Sequence, residues 1–136
     1  MRVNKPFFDT NVLLYLLSSD FKANQAEALL MSGGVVSVQV LNEFASVASR
    51  KLKMIWQEIR DILDIIKTIC EVVPITLEIH ELGLIIAERY KLTLYDSQIL
   101  AAAKLSECRM VYSEDMQNGQ VVEGVTIQNP FTEGKG

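Results

Sequence analysis

Pro6-Phe7-Phe8-Asp9-Thr10-Asn11-Val12-Leu13-Leu14-Tyr15-Leu16-Leu17 is the stretch that decides how the chain is read. A short apolar run is closed by an aspartate and two turn-forming residues, and a second apolar run follows at once. That pattern is a buried strand feeding a helix. It predicts a strand over 6–9, a turn at Asp9-Thr10-Asn11 and a short helix over 12–17. Working outward, a helix is expected over 24–31, closed by Gly33-Gly34, then a strand over 35–38. Over 39–52, Val40, Leu41, Phe44, Val47 and Ala48 share one arc of a helix. Ile55, Ile59, Ile62, Ile66 and Ile69 step by four and three, which predicts a helix with a single apolar stripe. A strand over 72–75, helices over 77–90 and 93–107, a strand over 110–113 and another over 125–127 after the Asn118-Gly119 turn complete the series. The reading is an α/β fold with a central parallel sheet of four to five strands and helices on both faces. Leu84 and Ile85 fall off the stripe of their helix, which points to deep burial or a subunit contact.

The chain has 136 residues, with 13 Lys plus Arg against 17 Asp plus Glu and a formal net charge of -4. This is the length of one domain with a real core, expected over 1–131 and followed by a flexible tail over 132–136. At 49% hydrophobic and 22% charged, the composition excludes a disordered or collagen-like chain. An acidic balance excludes holding nucleic acid by bulk charge, because non-specific affinity comes from Lys and Arg on phosphates. Any such contact has to be local. Asp9 and Asn11 interrupt the apolar stretch after Arg2 and Lys5, so it does not read as a secretory signal. No stretch reaches the roughly 20 apolar residues of a membrane span, and a cytoplasmic location with no membrane partner is expected. Cys70 and Cys108 form no metal-binding spacing and are expected as reduced core residues.

In an open parallel sheet, ligands bind outside the carboxyl ends of the strands. Asp9 ends the first strand, Asp115 follows the fourth, Asp96 opens the helix over 93–107, and Glu43 lies one turn into the helix after the second strand. Each has a structural explanation alone. Asp9 can cap a helix, Thr93 with Asp96 has capping-box spacing, Asp115 can stabilise a turn and Glu43 can pair with a base. Four acids sent to one rim are a different matter. Two carboxylates roughly 6 Å apart repel by about 3 kcal/mol at an effective dielectric of 20, so a converging set calls for a cation. All-oxygen ligation with no paired His or Cys points to Mg²⁺ or Mn²⁺ and away from Zn²⁺. Such an ion suits phosphodiester hydrolysis. Arg50, Lys51 and Lys53 follow Glu43 and are candidates for holding an RNA phosphate, although the helix dipole also favours bases there. Lys22 and Lys104 are weaker candidates. His80 lies far from every motif and reads as a surface residue.

Four stretches together resemble the PIN-domain family, and within it the small VapC-type toxins of toxin-antitoxin pairs. They are Phe8-Asp9-Thr10-Asn11-Val12-Leu13-Leu14-Tyr15, Glu43-Phe44, Leu94-Tyr95-Asp96-Ser97-Gln98-Ile99-Leu100-Ala101-Ala102-Ala103 and Tyr112-Ser113-Glu114-Asp115-Met116-Gln117-Asn118-Gly119. The resemblance implies a three-layer α/β/α fold, a metal-dependent endoribonuclease, homodimers and a cognate antitoxin that occludes the site. It makes Asp9, Glu43, Asp96 and Asp115 the catalytic, metal-holding quartet, with Thr10, Asn11 and Ser113 orienting carboxylates or water. A haloacid-dehalogenase-like phosphatase would need an Asp where Asn11 stands, and a receiver domain would need an acidic pair and a late Lys. From another class, a non-catalytic PIN-like binding or regulatory module is the alternative.

Overall fold

Phe7 and Phe8 form β1 (Phe7–Phe8), and both rings are fully buried. The computed structural model describes residues 5–131; the tail expected over 132–136 lies outside the described residues. Asp9 stops β1 by capping α1 (Thr10–Leu14), its carboxylate accepting the Thr10 N–H, and a 3₁₀ turn over Tyr15–Leu17 continues the helix. α2 (Lys22–Met31) leads through Gly33 and Gly34 into β2 (Val35–Ser37). A Cβ on Gly34 would stand 2.4 Å from the Phe8 ring and 2.7 Å from the Pro6 carbonyl, so only glycine lets β1 and β2 meet here. Ser37 then caps α3 (Val38–Arg50), its hydroxyl accepting the Val40 N–H.

α4 (Trp56–Ile69) buries Ile59 and Ile66 completely. Each such side chain contributes about 1.5–3 kcal/mol of apolar burial. Ile55 departs from the expected stripe: it precedes the helix in extended conformation and is 64% exposed. β3 (Glu71–Val73), α5 (Leu77–Tyr90), α6 (Leu94–Leu105) and β4 (Met110–Tyr112) follow near their expected bounds. Two short strands close the described chain, β5 (Val121–Val122) and β6 (Val125–Gln128).

Among the described residues the sheet has six strands in the order β3-β2-β1-β4-β6-β5, one more than the upper expectation. The extra strand is β5, the outer arm of a hairpin, paired antiparallel through Val121 with Thr126 and Val122 with Val125. Glu123 and Gly124 make the tight turn between them, both at positive φ (51° and 83°). Every other pairing is parallel. α6 packs on β2, β4 and β6, and its own Leu100, Ala101, Ala102 and Ala103 are fully or almost fully buried. Cys70 and Cys108 are buried and in no disulfide, and burial pushes the Cys70 thiol up to about 11. Among the described residues no helix is long and apolar enough to cross a membrane.

The strand order positions the site. From β1 the chain runs outward through β2 and β3, then returns to the other side of β1 with β4. The switch point therefore lies between β1 and β4, where a parallel sheet opens a crevice at its carboxyl edge. Asp9 and Asp115 leave the sheet on either side of that crevice.

Candidate metal centre

Asp9, Glu43, Asp96 and Asp115 all line one cleft of about 450 Å³. Asp9 is the deepest, 6% exposed at the end of β1. Its carboxylate is fixed by three donors: the Thr10 N–H at 2.7 Å and the Asn11 amide at 3.2 Å, together with the Ser113 hydroxyl at 2.9 Å. Ser113 in turn accepts the Met116 N–H at 3.2 Å, and Asn11 accepts the Glu114 N–H at 2.9 Å. β1 and the turn after β4 are thereby tied together around Asp9. The Thr10 hydroxyl donates to Glu43 at 2.7 Å, joining α1 to α3. Asp96 sits half-buried on the first turn of α6, where the Thr93 hydroxyl accepts its N–H at 3.1 Å. Asp115 is exposed at the outer edge.

The electrostatics follow from this placement. Burial is the largest influence on Asp9 and raises its pKa from 3.8 to about 6, against the Ser113 and Thr10 hydrogen bonds and with further help from the charges of Asp96 and Glu43. Burial also raises Asp96, against the Thr93 hydrogen bond, and Asp115 and Glu43 add repulsion. The four acids therefore feel one another. Among the described residues none of them is in an ion pair, although Arg50 and Lys51 line the same cleft.

This donor set fits a hard divalent cation: oxygens only, mutually repelling, with the deepest carboxylate made costly to ionise until positive charge arrives. As they stand, no three His, Cys, Asp or Glu side chains among the described residues are spaced to grip one ion. An ion of this class takes only one or two carboxylates directly, so such a set would not need all four acids on the ion at once.

Several groups around the cleft are not singled out by sequence reasoning for the roles they take. Gln39, one turn before Glu43 on α3, points its amide at Glu43 (3.5 Å) and at the Tyr95 carbonyl (3.3 Å). Its spacing of four from Glu43 is the signal that could have found it. Glu114 is gripped by the Tyr15 hydroxyl and the Lys22 ammonium, both at 2.8 Å, across about a hundred residues of chain. Lys22 also lies over the rings of Tyr15 and Phe131. It is thus an anchor for the turn before Asp115. Lys104 likewise donates to the Glu123 carbonyl, and His80 is exposed. Lys53 is exposed with φ 57° and lies outside the cleft lining. Tyr15→Phe leaves Glu114 with Lys22 alone and is expected to cost about 1 kcal/mol, read as a lower melting temperature.

Among curated protein sequences, none matches the chain significantly. Solved structures do match. A toxin-antitoxin complex from Klebsiella pneumoniae shares the fold at a TM-score of 0.74 and 22% identity, covering 93% of this chain and 98% of that one. A DNA-bound VapBC from Salmonella typhimurium aligns at 0.70 and 17% identity, with the same coverage of 93% and 98%. VapC20 of Mycobacterium tuberculosis, a sarcin-ricin loop cleaving toxin, aligns at 0.66 and 19% identity over 82% of this chain and 90% of its own. The PIN domain family model matches residues 7–120, the span that runs from β1 through all four acids to the edge of the final hairpin. By that match, over well more than half its length, the chain belongs to the PIN domain family.

Proposed function

We propose that this PIN domain is a Mg²⁺- or Mn²⁺-dependent endoribonuclease and the toxin of a toxin-antitoxin pair, acting in the cytoplasm. The observation that carries the reading is the single cleft lined by Asp9, Glu43, Asp96 and Asp115, in which no ion pair among the described residues balances the acids. When bound, the cation would polarise the phosphoryl oxygen and ease the ionisation of the attacking water. The rest falls to side chains. Asp9, immobilised by Ser113, Thr10 and Asn11, and Glu43, held by Thr10, would hold the ion. Asp96, half-buried with its pKa raised, is the carboxylate suited to take the proton from water. Asp115, at the exposed edge, would meet substrate first.

The expected result is cleavage of structured RNA by the purified protein with Mn²⁺, abolished by EDTA and lowered about 10²-fold or more by Asp96→Asn. Equal cleavage by wild type and Asp96→Asn would remove the assignment, and a tight protein complex with no nuclease activity after partner removal would favour the binding-module reading.

Two partnerships belong to the same proposal. An antitoxin is the proposed protein partner, supported by the toxin-antitoxin complexes among the structural neighbours, and the acidic cleft is the surface it would cover. A second copy of the chain would cover α5, where Leu84 and Ile85 are 48% and 47% exposed. A dimer mass in solution at micromolar concentration is expected, and a monomer mass would count against it.

A further inference from the structure

Beside the carboxylate cleft lies a second hollow of about 540 Å³, and Asn11, Leu14 and Val47 line both. The two differ in chemistry. The cleft gathers acids, whereas the hollow is walled by Leu17, Leu52 and Tyr15, with Glu114 as its charged group. The end of α3 straddles the boundary: Arg50 and Lys51 line the cleft, and the next residue, Leu52, lines the hollow. Among the described residues neither base is in an ion pair, and Arg50 is braced by a 3.0 Å bond from its Nε to the Ser46 hydroxyl. In a chain of net charge -4, two cations without countercharge stand at the rim of a carboxylate cluster. A polyanion needs positive charge there to approach the acids at all. An apolar recess with a ring on one side and a few polar groups is the kind of site that takes a flat heterocycle.

We propose that the hollow is a nucleobase subsite. The base of a nucleotide next to the cleaved phosphate enters between Tyr15 and Leu52, and Arg50 and Lys51 hold the adjoining phosphate. Glu114, fixed by Tyr15 and Lys22, presents only acceptors and so meets the N–H edge of the base. A base seated there has left its stack, so the substrate is single-stranded or looped RNA and not a continuous duplex. This inference rests on the reading of the cleft as the place of RNA cleavage, and it adds the residues that read the neighbouring nucleotide.

The test is binding without turnover: fluorescence anisotropy of labelled RNA hexamers in EDTA at low ionic strength, each position replaced in turn by an abasic ribose. Wild type is expected to lose about fivefold or more in affinity when one particular position is abasic, and little elsewhere. Leu52→Trp, at a half-exposed position that tolerates substitution, fills the hollow. It is expected to bind the intact hexamer as weakly as wild type binds the abasic one, with no further loss on removing the base. Lys51→Glu is expected to weaken all hexamers alike. Binding that depends on Lys51 but tolerates every abasic position overturns the subsite and leaves the RNA reading standing. The hollow would then suit a side chain of a protein partner. A position-specific loss that persists in Leu52→Trp also overturns it, because the base then lies elsewhere. No binding of any hexamer overturns the subsite, while the cleavage reading is decided separately by the Mn²⁺-dependent assay.

Discussion

Replacing Asp9 by Asn is expected to make the metal-free protein more stable at pH 7.5 while cutting Mn²⁺-dependent RNA cleavage by about 10²-fold or more. The two effects have one cause. Asp9 is 6% exposed, and burial against nearby acids raises its pKa from 3.8 to about 6. The folded state then keeps a proton between pH 4 and 6 that the unfolded state has released. Stability from this group is greatest at low pH, is lost as pH rises through about 6, and stays low above it. From 3.8 to about 6 the difference is worth about 3 kcal/mol at neutral pH. Asparagine carries no charge and escapes that cost. It still offers a carbonyl to the Thr10 N–H, while its amide stands where the second carboxylate oxygen accepted the Asn11 amide and the Ser113 hydroxyl, and the loss of those two bonds offsets part of the gain. A net increase of several degrees in melting temperature is expected. The same substitution removes the most rigidly held oxygen donor of the cleft, hence the loss of cleavage. A variant that is no more stable and cleaves normally would show that the carboxylate is neither strained nor used.

The second large effect couples pH to the cation. Millimolar Mn²⁺ or Mg²⁺ is expected to raise the melting temperature at pH 7.5, because an ion that binds only the folded state stabilises it by RT ln(1 + [L]/Kd), about 2.7 kcal/mol at a hundred times Kd. At pH 4.5 the shift is expected nearly to vanish, since a proton already occupies Asp9 and competes for the same electron pairs. Asp96, raised for the same reasons, acts in the same direction. Subtracting the pH profile of Asp9→Asn from that of wild type isolates the contribution of Asp9 from that of the other carboxylates. Equal metal shifts at both pH values, or in both proteins, would place the ion elsewhere.

Local sequence carried those features whose cause is local. The caps read at Asp9 and Thr93 are each made by a side chain at the start of the next helix, and the periodicity of α3 and α5 is the imprint of one buried face, whereas Ser37, expected inside a strand over 35–38, caps α3 instead. The rim position of Asp9, Glu43 and Asp115 follows from the parallel strands β1, β2 and β4, whose carboxyl ends point the same way, whereas Asp96 comes to the cleft on α6, which follows another helix. What local pattern could not carry was β5, since two residues are too few to show an alternation. Nor could it show that Ile55 stops short of α4, because a stripe in sequence does not say where the helix begins. The grip of Tyr15 and Lys22 on Glu114 depends on how α1 and α2 pack beside the turn after β4, which no window of sequence contains. The neighbouring hollow at the end of α3 is legible only in three dimensions for the same reason.

The account stands on a cation held among Asp9, Glu43, Asp96 and Asp115. The most direct measurement is anomalous diffraction from crystals grown with Mn²⁺ at pH 7.5. A manganese peak in the cleft within bonding distance of Asp9 and at least one of the other three is expected. Crystals in millimolar Mn²⁺ with the four side chains still apart and no anomalous peak between them would contradict it.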